Sequence, residues 1–135
     1  MICSLSGKIT AISDQKVSIL QGPIGFEVSC PHAAILTAGS DITLHTYLYW
    51  NQEQGPSLYG FEKELDKDVF LIIIGCSGIG PKLGLSILQQ LDSLQFLHYI
   101  INENIDQLSK LKSIGAKKAE QLCLALRNER MLAQF

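Results

Sequence analysis

Hydrophobic and polar positions alternate through the first half of the chain and then change period. Val17 and Ile19, then Ile24, Phe26 and Val28, occupy every second position, the spacing of half-buried strands. Gln21-Gly22-Pro23 between them is a turn signal. Residues 2–20 hold short apolar stretches broken at Gly7 and at Ser13-Asp14-Gln15. Residues 33–38 predict one or two helical turns before Gly39. A long strand is predicted over 42–50, with Ile42, Leu44, Thr46, Leu48 and Trp50 on one face. The segment from Asn51 to Pro56 is a polar loop tip, and Leu58-Tyr59-Gly60-Phe61 returns as a strand. Five or six short strands with one short helix predict a small Greek-key barrel of the OB type. A generic small barrel or an SH3-like sheet satisfies the same periodicity.

From Lys63 the spacing becomes helical. Leu65, Val69, Ile72, Ile73 and Cys76 fall on one face. A second helix carries Leu83, Ile87, Leu88 and Leu91. A third covers roughly 93–102, a short fourth roughly 104–111, and a last one runs to about Leu132 through Leu122, Leu126 and Arg130. The expected class is α+β: an N-terminal OB-fold β-barrel over 1–62, followed by an all-helical domain over 63–135.

Two interruptions in the helical half repeat each other at an offset of 35 residues. Gly78 falls on Ser113, Ile79 on Ile114, Gly80 on Gly115, Lys82 on Lys117, Ile87 on Leu122 and Leu91 on Leu126. Each unit reads helix, tight turn with Ile-Gly-x-Lys, amphipathic helix. Glycine lets backbone turn sharply and approach another molecule. The helix that starts there presents N–H groups without intrahelical acceptors at the positive end of its dipole, a ready anion site. Lys82, Lys117 and Lys118 add full charges. Pro81 suits the first helical position but has no N–H. The first unit's donors are therefore Gly80 and Lys82, with Ile79 a further candidate; in the second, Ala116 keeps its donor. One such turn alone reads as a simple helix connection. Two in register, each followed by lysine, point to phosphate binding.

Bulk charge would not have revealed this. The chain has 11 Lys and Arg against 13 Asp and Glu, a net charge of −2. Residues 1–62 set Lys8 and Lys16 against Asp14, Glu27, Asp41, Glu53 and Glu62; residues 63–135 hold nine cations against eight carboxylates. No basic stripe exists, so phosphate binding must come from local sites. Hydrophobic residues make up 47 % of the chain, enough for a core and too many for intrinsic disorder. No apolar run reaches membrane-spanning length and no signal-peptide pattern opens the chain, so a cytoplasmic protein without membrane association is expected. Cys3, Cys30, Cys76 and Cys123 form no C-x-x-C pair, which favours free thiols acting as small buried hydrophobes over zinc or redox chemistry. No metal, cofactor or catalytic site is expected. The sequence offers no carboxylate pair in a metal arrangement, no Walker motif and no Ser/His/Asp spacing.

Two units of this kind resemble a tandem helix-hairpin-helix, a module that grips the DNA backbone without reading sequence. Behind an OB-like barrel, the order resembles the RuvA family of Holliday-junction-binding proteins. The landmarks are Met1-Ile2 with Gly7, Gly25-Phe26-Glu27-Val28, Leu58-Tyr59-Gly60-Phe61 and Gly78-Ile79-Gly80-Pro81-Lys82-Leu83. The resemblance implies a non-catalytic scaffold for recombination and repair, including the SOS response to DNA damage. A homotetramer, or an octamer, would hold four-way junction DNA open and flat. The phosphate contacts would come from Gly78, Ile79, Gly80 and Lys82, and from Ser113, Ile114, Gly115, Ala116, Lys117 and Lys118. It also implies an acidic pin at the loop tip, here Gln52 and Glu53, where the family often has two adjacent carboxylates. A tetramer would then ring four charges rather than eight. Ser113 stands where the family favours glycine, which implies that unit one binds better than unit two. Family members continue through a linker to a small C-terminal domain that binds a RuvB-type ATPase motor. This chain ends at Phe135, so motor binding is expected of a full-length protein and not of this piece. A helix-hairpin-helix also occurs as a duplex-binding accessory module of repair nucleases and ligases, and that remains the alternative.

Overall fold

The computed structural model describes residues 1–127. The expected course of the last helix to Leu132, with Arg130 on its face, lies outside the described residues. The chain divides into two compact units, Met1–Lys67 and a second beginning at Asp68.

The first unit is a closed five-stranded barrel in the order β1-β2-β3-β5-β4. Its strands are β1 (Ser4–Ser13), β2 (Lys16–Gln21), β3 (Ile24–Ser29), β4 (Asp41–Asn51) and β5 (Gly55–Phe61). All pairings are antiparallel except β3 with β5, where Val28 faces Leu58 in parallel. Two-residue turns join the first three strands: Ser13 pairs with Lys16 around Asp14, and Gln21 with Ile24 around Gly22-Pro23. A single 3₁₀ turn, Ala33–Ile35, is all that forms of the helix expected over 33–38. This is the OB-type closure, and it removes sheet edges that would otherwise template aggregation.

Alternation fills the barrel. Leu5, Ile9, Val17, Ile19, Val28 and Leu44 point inward and are buried. Each such side chain contributes about 1.5–3 kcal/mol by leaving water. Thr46 is buried among them, and its hydroxyl donates to the Ile2 carbonyl at 2.7 Å, which offsets the cost of taking that group out of water. Gly60 on β5 must be glycine. A Cβ there would stand 2.6 Å from Val28 Cγ1 and 2.9 Å from Leu44 Cδ1.

Two expectations are corrected. Gly7 does not interrupt β1, which runs unbroken through it. The backbone of β2 crosses so closely that a Cβ on Gly7 would strike the Leu20 carbonyl and the Ile19 side chain. The inward face of β4 is also shorter than its periodicity suggests. Leu44 and Thr46 are buried, Ile42 and Leu48 are half-buried, and Trp50 is 67 % exposed, because β4 outruns the barrel toward its tip.

The second unit contains α2 (Pro81–Gln90), α3 (Ser93–Ile101), α4 (Ile105–Ser109) and α5 (Ala116–Leu126), and the division after Lys67 falls within α1 (Glu64–Ile74). Val69, Phe70 and Ile73 on α1, Ile87 and Leu88 on α2, Phe96, Leu97 and Ile100 on α3, Leu108 on α4 and Leu122 on α5 are buried. Gly84 lets α2 close onto α1: a Cβ there would lie 3.1 Å from the Phe70 ring and from Ile74 Cγ2. Its equivalent in the second repeat is Ala119, also fully buried. Asn104 caps α4, its side chain accepting from the Gln107 N–H at 3.3 Å.

Candidate nucleic-acid interface

The two turns found by repeat have the same backbone. In the first, the Cys76 N–H donates to the Ile73 carbonyl at 3.1 Å, and Ile79 to Cys76 at 3.2 Å. The Gly84 N–H closes the sequence onto the Gly80 carbonyl at 3.0 Å. The second repeats each bond 35 positions on: Leu111 to Leu108 at 3.1 Å, Ile114 to Leu111 at 3.0 Å, Ala119 to Gly115 at 3.0 Å. Gly78 has φ +82° and Ser113 φ +70°, so both occupy the left-handed region. Gly80 and Gly115, which precede α2 and α5, have φ −94° with ψ 176° and 179°. The Ser113 departure therefore preserves the turn. Its consequence is local strain, because a Cβ in this region costs about 1–2 kcal/mol.

Each turn is pinned from below and open above. Ile79 and Ile114 are 5 % and 4 % exposed and anchor the turns in the core. Gly78, Gly80, Ser113 and Gly115 are exposed, and a Cβ built on any of the three glycines meets nothing within 4 Å. No side chain caps α2 or α5. Their first-turn N–H groups therefore stay available to an anion approaching along the dipole. Lys82, Lys117 and Lys118 are exposed within the first turn of their helices. One expected donor is corrected. The Ile79 N–H is spent on the Cys76 carbonyl, as that of Ile114 is on Leu111, so these residues serve by packing alone.

The turns are not equally charged. Around the second stand Lys112, Lys117 and Lys118, all exposed. The first has Lys82, with Ser77 and Leu83 in the places of Lys112 and Lys118. Electrostatics thus favours the second turn, against the ranking expected from Ser113.

The structure also joins the turns through side chains that sequence reasoning missed. The Gln121 amide on α5 donates to the Ser77 carbonyl of turn one at 2.9 Å. Gln90 at the end of α2 accepts from the Lys112 N–H of turn two at 2.7 Å. Nothing in a single sequence distinguishes these glutamines from solvent-facing ones.

Gln52 and Glu53 lie in the other unit, exposed at the β4–β5 tip. The Asn51 carboxamide oxygen accepts from the Glu53 N–H at 2.7 Å and the Gln54 N–H at 3.2 Å. With Gly55 at φ +78°, this Asx turn closes a three-residue loop between the paired Asn51 and Gly55. The tip is a shaped projection carrying one carboxylate.

Two of the buried cysteines are held in the thiol form. Burial, and then the Glu62 carboxylate, push the Cys30 thiol up to about 12; burial and Glu103 raise Cys123. Both are therefore protonated near neutrality. Cys76 is buried as well, whereas Cys3 is exposed, contrary to the expectation of buried thiols. Among the described residues no cluster of His, Cys, Asp or Glu could hold a metal, and no helix is long and apolar enough to cross a membrane.

Comparison with known proteins agrees with this geometry. The family described as the RuvA N terminal domain matches residues 1–60, and the SAM-like helix-hairpin-helix tandem matches residues 70–128. A protein of Chloroflexus aggregans is 36 % identical over 132 residues, covering 96 % of this chain and 67 % of its own length. The chain belongs to the RuvA family. Other family members include proteins of Photobacterium profundum, 35 % identical with 95 % and 63 % coverage, and Marinobacter nauticus, 32 % identical with 93 % and 61 % coverage. All three are described as Holliday junction branch migration complex subunit RuvA. The chain spans 61 % to 67 % of the length of these relatives.

Proposed function

We propose that this RuvA-family chain is a non-catalytic scaffold that binds four-way DNA junctions through their phosphates, independently of sequence. The observation that carries the reading is the pair of turns with matching backbone hydrogen bonds and dihedral angles. Each sets an exposed, uncapped helix start and a lysine above a buried isoleucine. Such a clamp needs no basic surface, which fits a chain of net charge −2. Contacts confined to phosphate suit a junction whose crossover must move through every sequence. In this reading Gly78, Gly80 and Lys82 form clamp one, and Ser113, Gly115, Ala116, Lys117 and Lys118 form clamp two, the stronger by charge. Four chains around the crossover would supply eight clamps, with Glu53 and Gln52 of each barrel tip near the axis, parting strands by repulsion of phosphate. The barrel over 1–62 and the helical domain over 63–135 would divide these two tasks. Branch migration itself falls to an ATPase partner, and the cytoplasm, where bacterial DNA lies, is the proposed location.

The test is a titration of the chain against a synthetic four-way junction and a duplex of equal length, at two salt concentrations, with the oligomeric state measured by light scattering. Junction preference beyond the number of arms, with a tetramer or octamer, is the expected result. A monomer binding both DNAs equally would sink the scaffold and leave a generic duplex-binding module.

A further inference from the structure

The two turns are tied to each other by reciprocal hydrogen bonds. Gln121, on the helix that follows turn two, donates to the Ser77 carbonyl of turn one at 2.9 Å. Gln90, on the helix that follows turn one, reaches turn two, where its Oε1 accepts from the Lys112 N–H at 2.7 Å and its Nε2 lies 3.4 Å from the Lys112 carbonyl. The same Nε2 donates to the Ser86 carbonyl and hydroxyl, both at 3.0 Å, which fixes the amide's orientation. Two coincidences of register make this more than incidental surface bonding. Ser77 and Lys112 are equivalent positions of the repeat, each immediately before its left-handed residue, Gly78 or Ser113. Ser86, which orients one glutamine, is the repeat equivalent of Gln121. Each brace thus grips the other unit's turn at the peptide that leads into its anion-facing N–H groups.

We infer that Gln90 and Gln121 are positioning residues that hold the two phosphate clamps at a set separation, so that both engage one stretch of DNA backbone together. The inference rests on the clamp reading above. Its physical content is bivalency: two weak anion sites on one rigid body bind with high effective concentration only if their spacing matches the phosphates they meet. Without the braces each clamp keeps its lysines and N–H groups, but part of the binding energy is spent on ordering the pair.

The experiment is a double-mutant cycle on the full chain with a fluorescently labelled four-way junction. Gln90→Met with Gln121→Met removes both braces without changing charge, and Gln95→Met, on exposed α3 surface, is the control. The braced pair is expected to weaken binding roughly fivefold, the scale of one net hydrogen bond, while leaving the salt slope unchanged because no cation is lost. Lys117→Ala with Lys118→Ala disables clamp two. On that background the same pair of methionines is expected to change affinity less than about twofold, because there is no second clamp left to align. Amide exchange at Lys112 should quicken in Gln90→Met alone. An equal loss on both backgrounds would mean a general structural role, and no loss in the otherwise native chain would mean the spacing needs no brace; either overturns the inference. The clamp reading fails separately, if the lysine substitutions themselves leave binding and salt slope unaltered.

Discussion

Exchanging the residues at the two left-handed positions tests whether the turns are the same device. Gly78 at φ +82° and Ser113 at φ +70° differ by a side chain in one backbone conformation. A Cβ on Gly78 would meet nothing within 4 Å, so Gly78→Ser creates no clash and only the backbone preference acts. That preference costs about 1–2 kcal/mol. Replacing glycine also stiffens the unfolded chain, which returns about 0.4–1 kcal/mol. The expected net effect is a loss of about 0.5–1 kcal/mol for Gly78→Ser and a gain of similar size for Ser113→Gly, by the same reasoning reversed. The double exchange should lie near the native value, since the substitutions sit in separate turns with no shared side-chain partner. Urea unfolding followed by far-UV circular dichroism reads the helical unit. The single tryptophan, Trp50, reports on the barrel in the same samples. In a parallel thermal melt each single variant should move the helical midpoint by about 2–8 °C and leave the barrel signal in place. A Ser113→Gly chain that is less stable than the native one would refute the reasoning. It would mean that the serine side chain makes a contact worth more than the strain of holding it.

The charge asymmetry predicts that Lys117→Ala with Lys118→Ala lowers the salt slope of junction binding by about two, against about one for Lys82→Ala. Equal or reversed slopes would show that local cation number does not rank the clamps. Glu53→Gln removes the only carboxylate of the Gln52-Glu53-Gln54 tip and should leave junction affinity equal or slightly tighter; a large loss in a folded variant would contradict repulsion as its role. Burial holds the Cys30 thiol protonated to about 12, whereas in the unfolded chain it ionises near its ordinary value of 9.0. The stabilisation is therefore complete below pH 9, and stability should fall as pH rises from there toward 12, because the unfolded state sheds its proton first. Cys30→Ala should flatten that alkaline decline, and an unchanged slope in urea titrations across the range would place the effect elsewhere. In the native chain a thiol reagent at neutral pH should modify Cys3 promptly and Cys30 and Cys123 only on unfolding.

Features set by neighbours along the chain are legible in the sequence alone. Strand periodicity from Val17 to Val28 survives folding because a strand's two faces are decided by its own alternation. The turns at Gly78 and Ser113 were legible for a similar reason. Left-handed backbone, a helix start and a lysine in its first turn lie within five residues, and a second copy 35 positions on repeats the pattern. Other features needed the third dimension. Gly7 reads as a break and is instead a crossing point, because the strand that presses on it arrives from Ile19 and Leu20. Trp50 belongs by period to the buried face of β4 and is exposed, because burial ends where the barrel does. The Ile79 N–H looked available and is consumed by the Cys76 carbonyl, a matter of turn closure that residue identity leaves open. The Gln90 and Gln121 braces span 22 and 44 residues in sequence, and only the packing of the helices brings amide and backbone within hydrogen-bonding reach. Sequence determined what each segment is and which residues carry charge. The tertiary structure decided which of them share a surface, because that depends on contacts between segments whose separation along the chain carries no signal of their distance in space.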